Sequence, residues 1–475
     1  MIIHTLAEFF LLPDFNNRTD QMKKLLLLGV CLALMACVST ADDEDDNFNT
    51  PASNRAIQWT RRNPIFLSGM TIRMGAPSAG FVKTYYDQFF ATSAHLWADG
   101  LPAEANAWAA ARPGGFRFVS WLDSHGASLS NGQVIGGIPA NSPGRIGFQI
   151  GDEPSRSCQD LGCAVNHLND MATGVNAVRS ADPNALVIVN FKRSDLLEGA
   201  LDHYTKHMDG DIISYSHYSY HRGAYKGLEA VRRYARQFSK PYWCYLKSYS
   251  SPGASAGKTA SDMRWDAYSG LLYGFTGFTW FVYQVNAGNE VVSNLFNHPG
   301  DLNAGRTGFW TAAAKINLGL RHMGNITRTL SSTAVRFIPA QEFLQPEGTT
   351  NWFRGSGDDP YITKIKPASS HHLMEISVGF FQDDAGKIYF MVQNVAHANW
   401  VTSDLVDLTH RGTVRISFDF SNAPASTSRS HLFTVNKGTG RTQAIPLTHV
   451  EGSQGYLDIP LDPGDATLLW YDTGA

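Results

Sequence analysis

Read only for hydrophobic and polar positions, the chain changes rhythm near residue 60 and again near residue 330. Between those points, short apolar runs alternate with longer amphipathic ones. The apolar runs at 65–72, 95–97, 116–122, 146–150, 186–191, 211–216, 242–246 and 275–283 are short and read as buried strands. The amphipathic stretches at 78–91, 161–179, 194–208, 227–238 and 260–273, with a Pro-Ala-Glu stretch after Leu101, read as helices. One more long helix is expected at 311–324. Strands alternating with helices predict a parallel sheet of the α/β class. Eight such units in about 250 residues predict closure into a (β/α)8 TIM barrel. A doubly wound sheet is the alternative, but it usually has a glycine-rich phosphate turn near its start, and the sequence has none there. From residue 334 the pattern becomes alternating β runs broken by Gly, Asn and Asp, as at 387–393, 413–420 and 466–471. That texture predicts a C-terminal antiparallel β-sandwich. The expected division is a leader at 1–37, a tether at 38–58, the barrel at 59–328 and the sandwich at 329–475.

Composition adds an address. The leader has Met22-Lys-Lys followed by an apolar run at 25–35, too short to span a bilayer as a stable helix. It ends Leu34-Met-Ala-Cys37, which resembles the lipobox of bacterial lipoproteins. The resemblance implies cleavage before Cys37, lipidation of its thiol and attachment to a membrane, with Met22 as the initiator. Val38 and Ser39 stand where an Asp would signal inner-membrane retention, so the expected place is the outer membrane of a bacterial envelope. An ordinary signal peptide with an unrelated Cys is the alternative. Asp42 to Asp46 is an acidic run and reads as a solvated tether. The net charge of −3 offers no basic surface for nucleic acid. Cys158 and Cys163 suit either a small-loop disulfide or two free thiols, and no His is seen to partner them at zinc-ligand spacing. Cys244 reads as core, and His371-His372 as surface.

The candidate chemistry centres on the fourth strand. It stops at Gly151-Asp152-Glu153-Pro154, where the proline forbids further pairing. In barrels of this kind the active site lies at the C-terminal ends of the strands. Those ends offer Arg73, then Trp97 and Asp99, then Trp121, Asp123 and His125. Gln149, Asp152 and Glu153 follow, then Asn190 and Lys192, then Tyr215, His217, Tyr218 and Tyr220. The last two strands offer Tyr245, Lys247 and Tyr249, and Trp280, Tyr283, Gln284, Asn286 and Glu290. Carboxylates accept hydroxyl hydrogen bonds and aromatic faces stack on sugar C–H groups, so the set suits a neutral polyhydroxylated ligand. The high aromatic content, 12 % with 11 Trp, points the same way. Catalysis is assigned to Glu153 and Asp152. Binding is assigned to Arg73, Trp97, Trp121, Asp123, Asn190, His217, Tyr218, Tyr245, Lys247, Trp280, Gln284 and Glu290. No metal, nucleotide or flavin is expected. A purely structural role for Asp152 or Ser155 is to cap the following helix, with Pro154 in its first turn.

A barrel with an acidic residue ending strand four, an aromatic-rich strand eight and a C-terminal sandwich resembles the (β/α)8 glycoside hydrolases. Gly151-Asp-Glu-Pro154 resembles the Asp-Glu pair of the β-N-acetylgalactosaminidases and their DEP-bearing relatives, as does the stretch from Arg264 to Tyr283. The resemblance implies that Glu153 is the general acid and that Asp152 orients the substrate's own acetamido group as nucleophile. The retaining clan A hydrolases are a more distant likeness: they carry Asn-Glu at strand four and a nucleophilic Glu at strand seven. This chain has Asp152 in place of that Asn, and its seventh strand ends Leu246-Lys247-Ser248-Tyr249 without a carboxylate. Three options follow: substrate assistance through Asp152, a second carboxylate from Asp123 or Glu290, or lost catalysis. The expected function is hydrolysis of O-glycosidic bonds in a poly- or oligosaccharide. The alternatives are a non-catalytic glycan-binding lipoprotein and a polysaccharide lyase using His217 or Tyr218.

Overall fold

Alternation of apolar strands with helices has one stable outcome here, a closed parallel barrel wrapped by helices. In chain order the elements are α1 (Arg55–Arg62), β1 (Phe66–Ile72), α2 (Ala79–Asp87), β2 (Ala94–Trp97), α3 (Leu101–Ala111), β3 (Phe118–Leu122) and β4 (Arg145–Asp152). Next come α4 (Leu161–Ala181), β5 (Leu186–Lys192), α5 (Leu197–His207), β6 (Ile212–His217), α6 (Ala224–Gln237), β7 (Tyr242–Lys247), β8 (Tyr249–Ser250), α7 (Ala260–Leu272), β9 (Gly277–Val285), β10 (Val292–Ser293) and α8 (Gly308–Thr327). Strands β1 to β7 and β9 close the barrel, with β9 pairing parallel to β1. β8 and β10 form a small antiparallel ladder at the end of β7. The computed structural model describes residues 55–72, 75–97, 101–122, 144–218, 222–250, 259–285, 292–298, 305–340, 345–368, 374–397 and 411–474. The lipobox-like stretch ending at Cys37 and the run from Asp42 to Asp46 lie outside the described residues.

Successive strand residues point to opposite faces, and this period of two sorts the barrel strands, with a break in β9 at Phe281–Val282. One set packs against the helices: Leu67, Leu96, Phe118, Phe148, Val187, Ile213, Cys244 and Phe278. The other fills the barrel in layers. The lower layer is Phe66, Val119, Leu186, Ile188, Ile212 and Trp243, with Phe66 stacked on Trp243 at 4.1 Å. Ala56 and Trp59 of α1 join that layer, so a helix overlaps the end of the stretch read as tether. The upper layer is Met70, Ile72, Trp121, Tyr245, Val282 and Val285, flanked by Trp97, Tyr218, Tyr249 and Phe281. The Phe281–Val282 peptide bond is cis, and both side chains belong to the upper layer.

The C-terminal part is a sandwich. One sheet has six strands in the order β11 (Ser331–Ile338), β13 (Ile376–Gln382), β14 (Ile388–Asn394), β20 (Ala466–Tyr471), β16 (His431–Val435) and β17 (Thr442–Pro446). The other has four: β12 (Ile362–Pro367), β15 (Gly412–Asp419), β19 (Gln454–Leu461) and β18 (Thr448–Glu451). Inward residues such as Val378, Phe390, Ile416, Phe418 and Leu469 form its core. Barrel and sandwich fall in one unit, Ala52–Ala475, because Phe337, Phe381, Met391, Val395 and Leu468 turn outward and join the barrel's outer core.

Candidate active site

β4 ends in a bulge. Its register against β5 shifts between Gln149 and Asp152, where Asp152 pairs with Asn190. Gly151 supplies the bulge at φ 88°, and a Cβ there would meet the Met171 sulfur at 2.4 Å. Glu153 follows in the left-handed region at φ 47°, a conformation a non-glycine residue adopts at a cost of about 1–2 kcal/mol. Two backbone bonds hold it there: its N–H donates to Asn190 O at 2.7 Å, and Arg156 N–H donates to Glu153 O at 2.7 Å. The bulge and the turn together lift both carboxylates onto the C-terminal rim.

The loop behind the pair is anchored three ways. His167 Nδ1 of α4 donates to Pro154 O at 2.8 Å. Ser155 and Ser194 hydroxyls meet at 3.1 Å, tying this loop to the one after β5. A disulfide joins Cys158 to Cys163. A histidine does therefore stand beside the cysteine pair: His167 lies 3.7 Å from Cys158 Sγ, one turn along α4 from Cys163, and the sequence reading overlooked it. The two sulfurs are bonded to each other, so the trio is not disposed as a metal site in this state. The cap of α4 is Asp160, whose carboxylate accepts from Cys163 N–H at 2.8 Å. The capping role considered for Asp152 and Ser155 is therefore filled by another residue.

Asp152 is oriented from β5. Asn190 Nδ2 donates to Asp152 Oδ1 at 2.6 Å and to Ser216 Oγ at 2.9 Å, while Ser214 Oγ donates to Asn190 Oδ1 at 2.9 Å. Beneath the rim, Tyr245 OH donates to Gln149 Oε1 at 2.6 Å and lies 3.3 Å from the ring nitrogens of His95. Burial pushes His95 down to about 3, so this ring is neutral. Burial, reinforced by Glu153 and Asp152, raises Tyr218 well above the usual phenol range; burial and the same two carboxylates raise Tyr249. Tyr245 is raised by burial and then by Asp152. All three phenols keep their protons beside the carboxylate pair, and the Tyr245 hydroxyl is committed to Gln149.

Of the binding candidates, Asn190, Trp97, Trp121, Tyr218, Tyr245 and Lys247 lie on the inner face or the rim with Asp152 and Glu153. Trp97 and Trp121 meet edge-to-face at 3.7 Å. Three candidates are turned elsewhere. His217 is fully buried against the helices, its Nε2 3.2 Å from Asp266 of α7 and its ring 5.2 Å from Trp265. Trp280 faces α8, donating from Nε1 to Asn317 Oδ1 at 2.8 Å. Gln284 is buried and donates to His298 O at 3.2 Å, bracing the turn after β9. Strand alternation explains the first two: Ser214 and Ser216 point inward on β6, so His217 points out, and on β9 Trp280 shares the outer face with Phe278. Arg73, Asp123 and Glu290 lie outside the described residues, as do Asp99, His125, Tyr220 and Asn286. The sequence reading missed His95 and Phe281. Stepping back two residues from Trp97 along β2 reaches His95.

No family model matches the chain, and no curated protein matches it. Among solved structures it is similar to a GH30 endoxylanase from Clostridium papyrosolvens C71, at 12 % identity and a TM-score of 0.40, covering 86 % of this chain and 96 % of that one. It is similar to α-galactosidase I from Mortierella vinacea, at 9 % identity and a TM-score of 0.43, covering 88 % and 98 %. A cycloisomaltooligosaccharide glucanotransferase from a Paenibacillus species matches at 8 % identity and a TM-score of 0.45, covering 87 % and 85 %. What the site does is therefore read from its own residues.

Proposed function

We propose that the chain is a glycoside hydrolase that cleaves O-glycosidic bonds at the C-terminal mouth of the barrel. The observation that carries the reading is the adjacent pair Asp152 and Glu153 on that rim, fixed by Asn190 and the turn at Arg156, and faced by Tyr218, Tyr245 and Tyr249. Glu153 protonates the leaving glycosidic oxygen and later recovers a proton from the attacking group. Its side chain is only 12 % exposed, which shields the group from bulk water. Asp152 orients or charges the attacking group, whether that is the substrate's own acetamido oxygen or a water. The Trp97–Trp121 pair and Phe281 give flat apolar faces to the sugar.

Release of reducing ends from a polysaccharide panel tests this. Glu153→Gln is expected to lower kcat by about 10²–10⁴-fold while KM holds, the loss typical of a general acid. Unchanged turnover in that variant would remove Glu153 from the mechanism. A second reading, a glycan-binding protein without turnover, is favoured by Lys247, which stands at the end of β7 where a two-carboxylate hydrolase has an acid. Binding without release by the wild type would select it. The lyase reading loses its bases, because Tyr218 is held protonated and His217 faces away from the mouth. The reading extends to an envelope lipoprotein anchored through Cys37, supported by Leu34-Met-Ala-Cys37. Radiolabelled fatty acid is expected in the wild type and absent from Cys37→Ser; equal labelling of both overturns it.

A further inference from the structure

On the helical outside of the barrel, α5 carries two histidines one turn apart. His203 and His207 stand at i and i+4, so they share one face of the helix, and their ring centres lie 4.8 Å apart. An ion that holds two imidazole nitrogens at about 2.0–2.1 Å, at an angle between square and tetrahedral, sets the ring centres about 4.5–5 Å apart. The two rings therefore already have the spacing of two ligands on one ion. His203 is also oriented from the neighbouring helix, because its Nε2 donates to Asn169 Oδ1 of α4 at 2.9 Å. An amide oxygen only accepts, so Nε2 carries the proton and the lone pair is left on Nδ1. Metal-binding histidines are commonly held this way, with the other ring N–H donated to a fixed oxygen.

The surroundings favour a cation. Burial, and then the neighbouring His207, pull His203 below the ordinary histidine pKa, so protons compete less for its lone pair. Lys206 is drawn onto Asp202 at 2.7 Å, and that carboxylate balances its charge. His207 is the last residue of α5, where the final carbonyls of the helix attract positive charge.

We infer that His203 and His207 form a surface site for a divalent late transition-metal ion, with Asn169 as the positioning residue that fixes the tautomer of His203. The donors choose the ion. Neutral imidazoles suit Cu²⁺, Ni²⁺ and Zn²⁺, whereas Mg²⁺ and Ca²⁺ prefer carboxylate and carbonyl oxygen. Among divalent ions at one nitrogen site Cu²⁺ binds most tightly. Water completes the coordination. The site is separate from the barrel mouth and owes nothing to the reading of the mouth as a glycosidase.

Full-length protein treated with a chelator and desalted is titrated by calorimetry with Ni²⁺, Zn²⁺, Cu²⁺ and Mg²⁺. Ni²⁺, Zn²⁺ and Cu²⁺ are expected to bind, Cu²⁺ most tightly, and Mg²⁺ is expected not to. His203→Gln and His207→Gln are each expected to weaken Ni²⁺ binding about tenfold or more, which assigns the ion to this pair and not to other donors of the chain. Asn169→Ala is expected to weaken it about tenfold, the usual cost of losing an outer partner. Asn169→Asp, whose carboxylate accepts the same bond, is expected to keep the affinity. That contrast distinguishes a built site from two exposed imidazoles that happen to be close. Saturating Ni²⁺ is also expected to raise the melting temperature of the wild type and to leave the double histidine variant unmoved, since an ion that binds only the folded chain stabilises it. Absence of Ni²⁺ binding by the wild type overturns the inference. So does wild-type affinity in either histidine variant or in Asn169→Ala.

Discussion

Glu153 holds its site in a conformation that disfavours every residue except glycine. At φ 47°, with its side chain largely buried, it combines backbone strain with a desolvated polar group. Residues with neither catalytic nor binding work are rarely kept under both conditions. Glu153→Gly is therefore expected to raise or hold the melting temperature, since it removes about 1 kcal/mol of left-handed strain, and to abolish turnover. A clear fall in melting temperature would show that Glu153 is structural. The importance of this residue was legible in the sequence, because a strand that runs into Gly-Asp-Glu-Pro must end on acids. Its strain was not, because φ depends on the bulge register with β5. The errors at His217 and Trp280 have a different origin. His217 ends β6 and Trp280 lies mid-strand in β9, and position along a strand does not decide the face. The smaller inward residues Ser214 and Ser216 carried that information for His217, as Thr279 did for Trp280, and serine and threonine look uninformative beside histidine and tryptophan.

At the scale of elements, the barrel wall holds two buried titratable groups whose effects oppose each other. His95 on β2 faces the interior, and burial lowers it from 6.5 to about 3. Glu104 on α3 is buried against β1, where it accepts from Thr71 Oγ1 at 2.9 Å, and burial raises it from 4.5 to about 7. The lowered His95 contributes stability that is full above pH 6.5 and is lost as pH falls toward 3. The raised Glu104 contributes stability that is full below pH 4.5 and is lost as pH rises through 7. Between pH 4.5 and 6.5 the two slopes are opposite in sign and about equal, near 1.4 kcal/mol per pH unit each. Melting scans across that window are expected to rise with pH in Glu104→Gln and to fall in His95→Gln, relative to the wild type. Parallel curves for all three would refute the assignment. The strand and helix pattern around these groups was readable from periodicity, and each barrel strand falls within two residues of its expected place at the start. The pairing of a buried acid on a helix with a threonine on a strand 33 positions earlier was not, since local periodicity says nothing about which helix face meets which strand.

For the molecule as a whole, α7 is the part that makes barrel and sandwich one body. Its residues from Ser261 to Leu272 are buried except Arg264, so it has no solvent face to spare. The barrel side supplies His217 to Asp266, whose Oδ2 also accepts from Lys247 N–H at 3.3 Å. The sandwich side supplies His397, whose Nδ1 meets Asp262 Oδ1 at 2.9 Å, and whose ring stacks on Trp265 at 4.6 Å. Gln393 of β14 accepts from Ser269 at 3.1 Å and donates to Trp265 O at 3.3 Å. Two glycines bring the sandwich backbone this close: a Cβ on Gly379 would meet Leu272 O at 2.3 Å, and one on Gly464, at φ 73°, would meet Ser261 O at 2.4 Å. A barrel cut free would expose Trp265, Leu272 and the Asp262 carboxylate together, a largely apolar face whose burial contributes several kcal/mol. A chain ended after residue 328 is therefore expected to aggregate or stay unfolded. The full chain is expected to melt in one calorimetric transition. Gly464→Ala should lower that transition without splitting it, since it combines left-handed strain of about 1–2 kcal/mol with a backbone clash. Two separate transitions, or a soluble truncated barrel with native circular dichroism, would show that the sandwich is an appended module, not a wall of the same core.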